Sequence, residues 1–130
     1  MPQYPYGAIN QPANPVLTLT AAAVNGTSAD QTNINHRGLQ LIVNITALTG
    51  TTPTLTVTIQ GEQPGGTYYT LLASTALNAV ATTVLTVYPG ATASANAVAS
   101  QPLPLNWRIS YAIGGTTPAV TATISAAYLV

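Results

Sequence analysis

Apolar and polar residues alternate along most of the chain after residue 16, which is the pattern of β-strands that bury one face. The stretch TLTVTIQG (54–61) shows this most clearly, because a threonine precedes each of its three large apolar residues and a glutamine follows the last. Threonine is both polar and β-branched, so it suits the exposed face of a strand. The rows predicted to point inward are Leu39, Leu41, Val43, Ile45 and Ala47; Leu55, Val57 and Ile59; Trp107, Ile109, Tyr111 and Ile113; and Val120, Ala122, Ile124, Ala126 and Tyr128.

Segments that contain glycine and proline separate the predicted strands. TALTGTTP (46–53) fits a hairpin connection and GGTTP (114–118) fits a second turn. PGATASANAVASQPLPL (89–105) lacks alternation, so we expect it to cross between two sheets. Seven or eight short strands result, at intervals of about ten residues, which is typical of an all-β sandwich. We predict a single antiparallel β-sandwich over residues 16–130, of the immunoglobulin-like or jelly-roll-like Greek-key kind, with Trp107 as its core anchor.

The first 15 residues, MPQYPYGAINQPANP, include four prolines and two tyrosines. Proline resists helix formation and cannot supply the donors of a central strand. We therefore predict an extended N-terminal arm over residues 1–15. One interpretation is a frayed terminus, and the other is a tail in which Tyr4 and Tyr6 bury their rings against a neighbouring subunit.

The chain carries very little charge for its length. Its 130 residues include two Lys or Arg and two Asp or Glu, so its formal net charge is zero. Such a chain cannot neutralise a row of phosphates or bind an anionic bilayer, so we expect neither nucleic acid nor a membrane as a partner. Because 47% of the residues are apolar, we expect a folded domain and not a disordered one. A surface with so little charge favours association, so a homo-oligomer is expected.

Residues that could perform acid–base or metal chemistry are too few for an active site. Cysteine is absent, and the carboxylates and imidazole are limited to Asp30, Glu62 and His36. No nucleophile elbow, phosphate-binding loop or calcium-binding loop occurs. One histidine and two carboxylates cannot close a tetrahedral zinc site within one subunit. We therefore predict that the protein is not an enzyme and has no catalytic, cofactor-binding or metal-binding residues.

The segment NHRGLQLIVNIT (35–46) is predicted to begin the first long strand. His36 is interpreted as a solvated loop residue, and Gly38 permits a sharp entry into the strand. Arg37 precedes the apolar row that starts at Leu39. It is a candidate for an ion pair with Asp30, the acidic residue nearest in sequence, or for a contact with a neighbouring subunit or a capsid.

Several elements between Arg37 and Val130 resemble a known family. They are an Arg-Gly opening, TGTTPTLTVTIQG, YYTLL, TVYPG, TASAN and LPLNWRI. In order and spacing they are similar to small structural proteins encoded among the capsid and tail genes of tailed bacteriophages. The resemblance implies a head decoration (cement) protein that binds the outside of the phage head, with the major capsid protein as partner. It also implies a place on the virion after synthesis in the host bacterial cytoplasm.

The sequence is also compatible with two other functions. One is a tail, neck or fibre component of the same virion. The other is a carbohydrate-binding adhesion module, for which exposed aromatic residues such as Tyr68 and Trp107 would have to form a flat platform. The symmetry of a capsid site would select the oligomer, with a trimer at a threefold axis and a dimer at a twofold axis.

Overall fold

The computed structural model describes residues 14–130, and that part of the chain contains β-strands and no helix. All the strands join one hydrogen-bonded sheet, in which every strand pairing is antiparallel except that of β6 with β7. The prediction of an all-β, mainly antiparallel fold is confirmed. Most of the predicted arm, with Tyr4 and Tyr6, lies outside the described residues. The strands are β1 (Leu17–Ala22), β2 (Gly26–Thr27), β3 (Gln31–Thr32), β4 (Gly38–Glu62), β5 (Tyr68–Ala73), β6 (Thr82–Val87), β7 (Val98–Ala99) and β8 (Asn106–Leu129).

Strands β4 and β8 are far longer than the sequence pattern predicts. They contain 25 and 24 residues. They pair with each other from Gly38 opposite Leu129 to Gly61 opposite Trp107, so together they form a long two-stranded ribbon. The hairpin connection expected at 46–53 and the turn expected at 114–118 are therefore wrong, because each segment lies inside a continuous strand. The two segments face each other across the ribbon, where shifts of register bend both strands without ending their pairing.

Two copies of the tetrapeptide Gly-Thr-Thr-Pro, at positions 50–53 and 115–118, form this corner of the ribbon. The glycines of the two copies have φ angles of +109° and +110°, and the second threonines have +49° and +46°. A Cβ atom on Gly50 would lie 2.6 Å from the carbonyl oxygen of Thr117, and one on Gly115 would lie 2.7 Å from a carbonyl oxygen of the other copy. Each copy thus fits against the other in the same way, which gives the corner an approximate twofold symmetry.

The ribbon doubles back on itself at the corner. Trp107 and Tyr128 are 21 residues apart on β8, which would separate them by about 70 Å in a straight strand. Their ring centroids are nevertheless 6.1 Å apart, in an edge-to-face arrangement. We call residues 38–48 with 119–129 the first half of the ribbon, and residues 54–62 with 106–114 the second half. The end of the molecule opposite the corner, where these two rings meet, is called the open end.

One hydrophobic core joins the inner faces of the two halves. Strands β1 and β6 flank the first half, and β2, β3 and β5 flank the second. The predicted inward rows are confirmed except at Ala47, and Tyr111 and Ile113 are only half-buried. A register shift between Ile45 and Ala47 interrupts the alternation there, so Leu48 packs against the core in place of Ala47. The side chains in the core with no exposed surface are Leu39, Leu41, Val43, Leu55, Val57, Ile59, Leu85, Val87, Trp107, Ile109, Val120 and Ile124.

The corner yields a prediction about stability. Gly50 and Gly90 both have positive φ, but Gly90 has no atom within 4 Å of the position that a Cβ would occupy. We expect Gly90→Ala to cost about 1 kcal/mol through backbone strain alone. Gly50→Ala adds a collision with carbonyls held by strand pairing, so it should cost about 3 kcal/mol. Urea unfolding of the two variants measures the difference, and equal losses would contradict this account of the corner.

Candidate functional site

Three of the four formally charged side chains lie together at the open end of the second half. Asp30, Glu62 and Arg108 surround Tyr68. The Tyr68 hydroxyl donates a hydrogen bond of 2.7 Å to Asp30 Oδ1. The Arg108 guanidinium carbon lies 3.5 Å from the centroid of the Tyr68 ring, and Arg108 Nε donates a hydrogen bond of 2.8 Å to Gln60 Oε1. We call these five residues the charged cluster.

Strand register brings the cluster together. Gln60 and Glu62 are alternate residues of β4, so they point to the same outer face of the sheet. Arg108 lies opposite Gln60 in β8, and Tyr68 lies opposite Glu62 in β5. Asp30 comes from the short connection between β2 and β3, both of which pair with β8. The site is therefore built on three adjacent strands and one edge loop.

The electrostatics of the cluster favour the neutral form of the Tyr68 phenol. The hydrogen bond to Asp30 raises the pKa of Tyr68, with smaller contributions in the same direction from burial and from the charges of Asp30 and Glu62. The nearby Arg108 opposes this increase. Two carboxylates and one guanidinium leave the cluster with a formal charge of minus one. Its surface therefore offers hydrogen-bonding groups and a local negative excess.

A surface depression adjoins the cluster. It is lined by Glu62, Gln63, Pro64, Gly65, Leu105 and Asn106. Within residues 14–130, no three His, Asp or Glu side chains gather closely enough to hold a metal ion. The arrangement is thus suited to recognising polar groups of a partner, such as hydroxyls, amides or a cation.

Two large apolar side chains are exposed at the same end. Ile34 is 68% exposed and Leu105 is 64% exposed. Their segments are neighbours, since the backbone nitrogen of Asn33 donates a hydrogen bond of 2.7 Å to the carbonyl oxygen of Leu105. We call Ile34 and Leu105 the apolar pair. The apolar pair adjoins the depression, because Leu105 is also one of the residues that line the depression.

The structure separates Arg37 from the cluster. Its side chain is exposed, whereas its backbone nitrogen donates to Leu129 and its carbonyl accepts from Leu103. The ion pair expected between Arg37 and Asp30 is not formed among the described residues, because Asp30 instead accepts the hydrogen bond from Tyr68. Arg108 is the arginine of the cluster.

The remaining aromatic residues of this end are largely internal. Trp107 has no exposed surface, so it cannot belong to an exposed platform with Tyr68. His36 is half-buried and stacks on Tyr128 with ring centroids 5.0 Å apart, so its interpretation as a solvated loop residue is wrong. Burial raises the pKa of the Tyr128 phenol, and the neighbouring Trp107 indole partly opposes that rise.

Sequence reasoning missed Asn33, which organises the open end. Its side chain is buried, and its Nδ2 donates to the carbonyl oxygens of His36, at 2.7 Å, and Leu103, at 3.1 Å. Its Oδ1 accepts a hydrogen bond from the backbone nitrogen of His36. An asparagine in a polar loop gives no sign of burial, so the sequence carried no signal for this role.

Comparison with protein-family models, with curated proteins and with solved structures finds no match. In the described part of the chain, no helix has the length and apolar character required to cross a bilayer.

The hydrogen bond between Tyr68 and Asp30 yields a prediction about pH. The folded protein holds the Tyr68 phenol proton more tightly than the unfolded chain does. The contribution of Tyr68 to stability is therefore complete below its ordinary pKa of about 10, and it is lost as the pH rises through the higher pKa of the folded state. We expect Asp30→Ala to return the Tyr68 pKa toward its ordinary value and to remove this loss. Carbon-13 NMR of ring-labelled tyrosine measures the pKa. The Tyr128 resonance is the control, because burial raises the pKa of Tyr128 and Asp30 does not contribute to it. An unchanged Tyr68 pKa would contradict the assignment.

Proposed function

We propose that this chain is a non-enzymatic structural protein of a tailed-phage virion, most specifically a capsid decoration (cement) protein. In this role it binds the outside of the head, with the major capsid protein as its partner, and stabilises the shell. The resemblance of residues 37–130 to small virion proteins supplies the biological setting. The distribution of charge over the fold is the observation that supports the proposed role.

The outer faces of both halves carry few charges and many hydroxyl groups. In the second half, Thr56 lies opposite Ala112, and Thr58 lies opposite Ser110. In the first half, the Thr82 hydroxyl donates a hydrogen bond to Asn44 Oδ1 across the β4–β6 pairing. Uncharged faces do not repel each other, so many copies can occupy a dense lattice. This property suits a protein that covers a shell.

The ribbon doubles back, and each half with its flanking strands presents its apolar face to a shared core. We propose that the two halves act as the two layers of a β-sandwich, continuous through the corner. A layered β domain whose two long strands stay paired along their length is well suited to an external virion protein.

Shell stabilisation follows from binding. A protein that bridges neighbouring capsid subunits binds the closed lattice and not the opened one, so its binding energy shifts the equilibrium against opening. No acid–base or metal chemistry is required for this role. The protein's concentration and its affinity for the lattice set the size of the effect.

Purified virions test this function. Particles stripped of the protein should release their DNA at a temperature several degrees lower than complete particles, and adding the purified protein back should restore the difference. Electron microscopy of the same particles should show density for the protein on the head. Density confined to the tail, neck or fibres would assign the protein to that alternative role, and unchanged heat resistance would overturn the stabilising function.

One observation favours a second candidate, a carbohydrate-binding adhesion module. Half-exposed Tyr68 lies among two carboxylates, an amide and a guanidinium beside an open depression, and such groups recognise sugar hydroxyls. Arg108 covers one face of the Tyr68 ring, so only the other face is available for stacking.

This second candidate predicts a selective effect of Tyr68. On an array of bacterial surface glycans, the wild-type protein should retain a ligand, and Tyr68→Ala should weaken binding by about tenfold or more. Tyr88→Ala is the matched control, because Tyr88 is also half-exposed but bonds through its hydroxyl to Val130. Absence of glycan binding by the wild type, or equal losses in both variants, would eliminate this function.

A further inference from the structure

We propose that two copies of the chain associate through their open ends in a twofold-symmetric interface. In this interface Arg37 of each copy meets Glu62 of the other, and the apolar pairs Ile34 and Leu105 pack around the axis. The interface involves this chain alone, so it does not depend on the place of the protein on a virion.

The proposed surface is formed by two segments that run side by side, residues 33–37 and 103–106. Leu103 donates a backbone hydrogen bond of 2.9 Å to Arg37, and Asn33 donates one of 2.7 Å to Leu105. The buried Asn33 side chain joins both segments by its bonds to His36 and Leu103. Because these bonds fix the backbone, the positions from which the exposed side chains project are set before any partner binds, which lowers the entropy cost of ordering the segments on association.

The surface has an apolar centre. Ile34 and Leu105 are each about two-thirds exposed, although their backbones are held in adjacent positions. Leu105 and Glu62 line the same depression, whereas Arg37 is bonded through its backbone to Leu103, which precedes Leu105 by two residues, and does not line it. The order across the surface is therefore a cation, an apolar centre and an acidic group.

The charges at the two sides are opposite in sign and complementary. Arg37 is exposed, and its side chain forms no ion pair or hydrogen bond with another described residue. On the opposite side, Asp30 and Glu62 outnumber Arg108, so that side has a formal charge of minus one. The isolated cation on one side equals the excess negative charge on the other.

A second copy complements this order when it is rotated by a twofold axis through the apolar centre. The rotation places the cation of each copy against the acidic side of the other and brings the apolar pairs together. Every contact occurs twice in an isologous interface. A single substitution therefore changes two contacts, and its effect on the free energy of association is doubled. The small number of anchors indicates a reversible dimer and not an obligate one.

Sedimentation analysis of the purified chain, from about 1 µM to about 1 mM, tests the interface. We expect a concentration-dependent monomer–dimer equilibrium. Arg37→Glu and Glu62→Arg should each lower the association constant by about tenfold or more, because each creates two repulsive contacts. When both substitutions are present in one chain, each contact is attractive again with reversed sign, so dimerisation should recover.

Matched apolar variants distinguish association through this surface from nonspecific hydrophobic association. Leu105→Ser and Ile34→Ser should weaken the dimer by about tenfold, whereas Val24→Ser should leave it unchanged. Val24 is 73% exposed, but its neighbour Asn25 bonds to Ile113 near the corner, at the other end of the molecule. Thermal unfolding monitors the fold of every variant. Ile34→Ser alters an exposed loop side chain, so it provides a test even where Glu62→Arg destabilises the strand end.

The outcomes distinguish this inference from the proposed function. The twofold interface would be overturned if the chain were a monomer at every concentration or formed a trimer. It would also be overturned if Val24→Ser lowered the association constant as much as Leu105→Ser does, or if the double charge swap did not restore dimerisation. Each of these results leaves binding to the virion unaffected. The protein could instead dimerise, respond to the substitutions as expected and yet fail to bind particles. That result would overturn the virion function and support the interface.

Discussion

The pairing of β4 with β8 is the constraint on which the other features of the domain depend. The two strands remain paired through a corner that bends both of them, and each Gly-Thr-Thr-Pro copy supplies the space that the other requires. A shift of one residue would move the two copies out of opposition and would also turn the apolar rows of the shifted strand from the core to solvent. The corner and the apolar rows therefore select the same register. This agreement between local geometry and burial is what allows one long ribbon to form a single core.

The doubled ribbon determines the chemistry of each surface. Its inner faces are buried against each other, which brings Trp107 against Tyr128 and the segment after Asn33 against the segment around Leu103. Its outer faces remain exposed on broad, regular strands, and threonine and serine dominate there. Charged side chains on these faces would repel equivalent side chains of neighbouring copies. Their concentration at the open end leaves most of the surface neutral while it retains one region of distinct electrostatic character.

The sequence predicts burial well and strand continuity poorly, for a physical reason. Burial follows a period of two that each strand carries by itself, so the rows from Leu39 to Ile45 and from Leu55 to Ile59 could be assigned locally. Gly50 and Pro53 also carry a strong local turn signal, but pairing with a distant strand overrides it. The repetition of Gly-Thr-Thr-Pro was a visible signal that the two segments are equivalent. The charged cluster was beyond prediction because it joins residues 30, 68 and 108 through the register of three strands.

The position of the charges has a consequence for recognition. Neutral, hydroxyl-rich faces can lie against many surfaces, but they discriminate poorly between orientations, since their hydrogen-bonding groups repeat along every strand. A single cluster with one isolated cation nearby removes this ambiguity, because a wrong orientation leaves a charge without a partner at the contact, which is costly. In a chain with four formal charges, their placement at one end therefore matters more than their number. A protein that must occupy symmetric positions in one defined orientation gains specificity from this arrangement while its remaining surface stays free of repulsion.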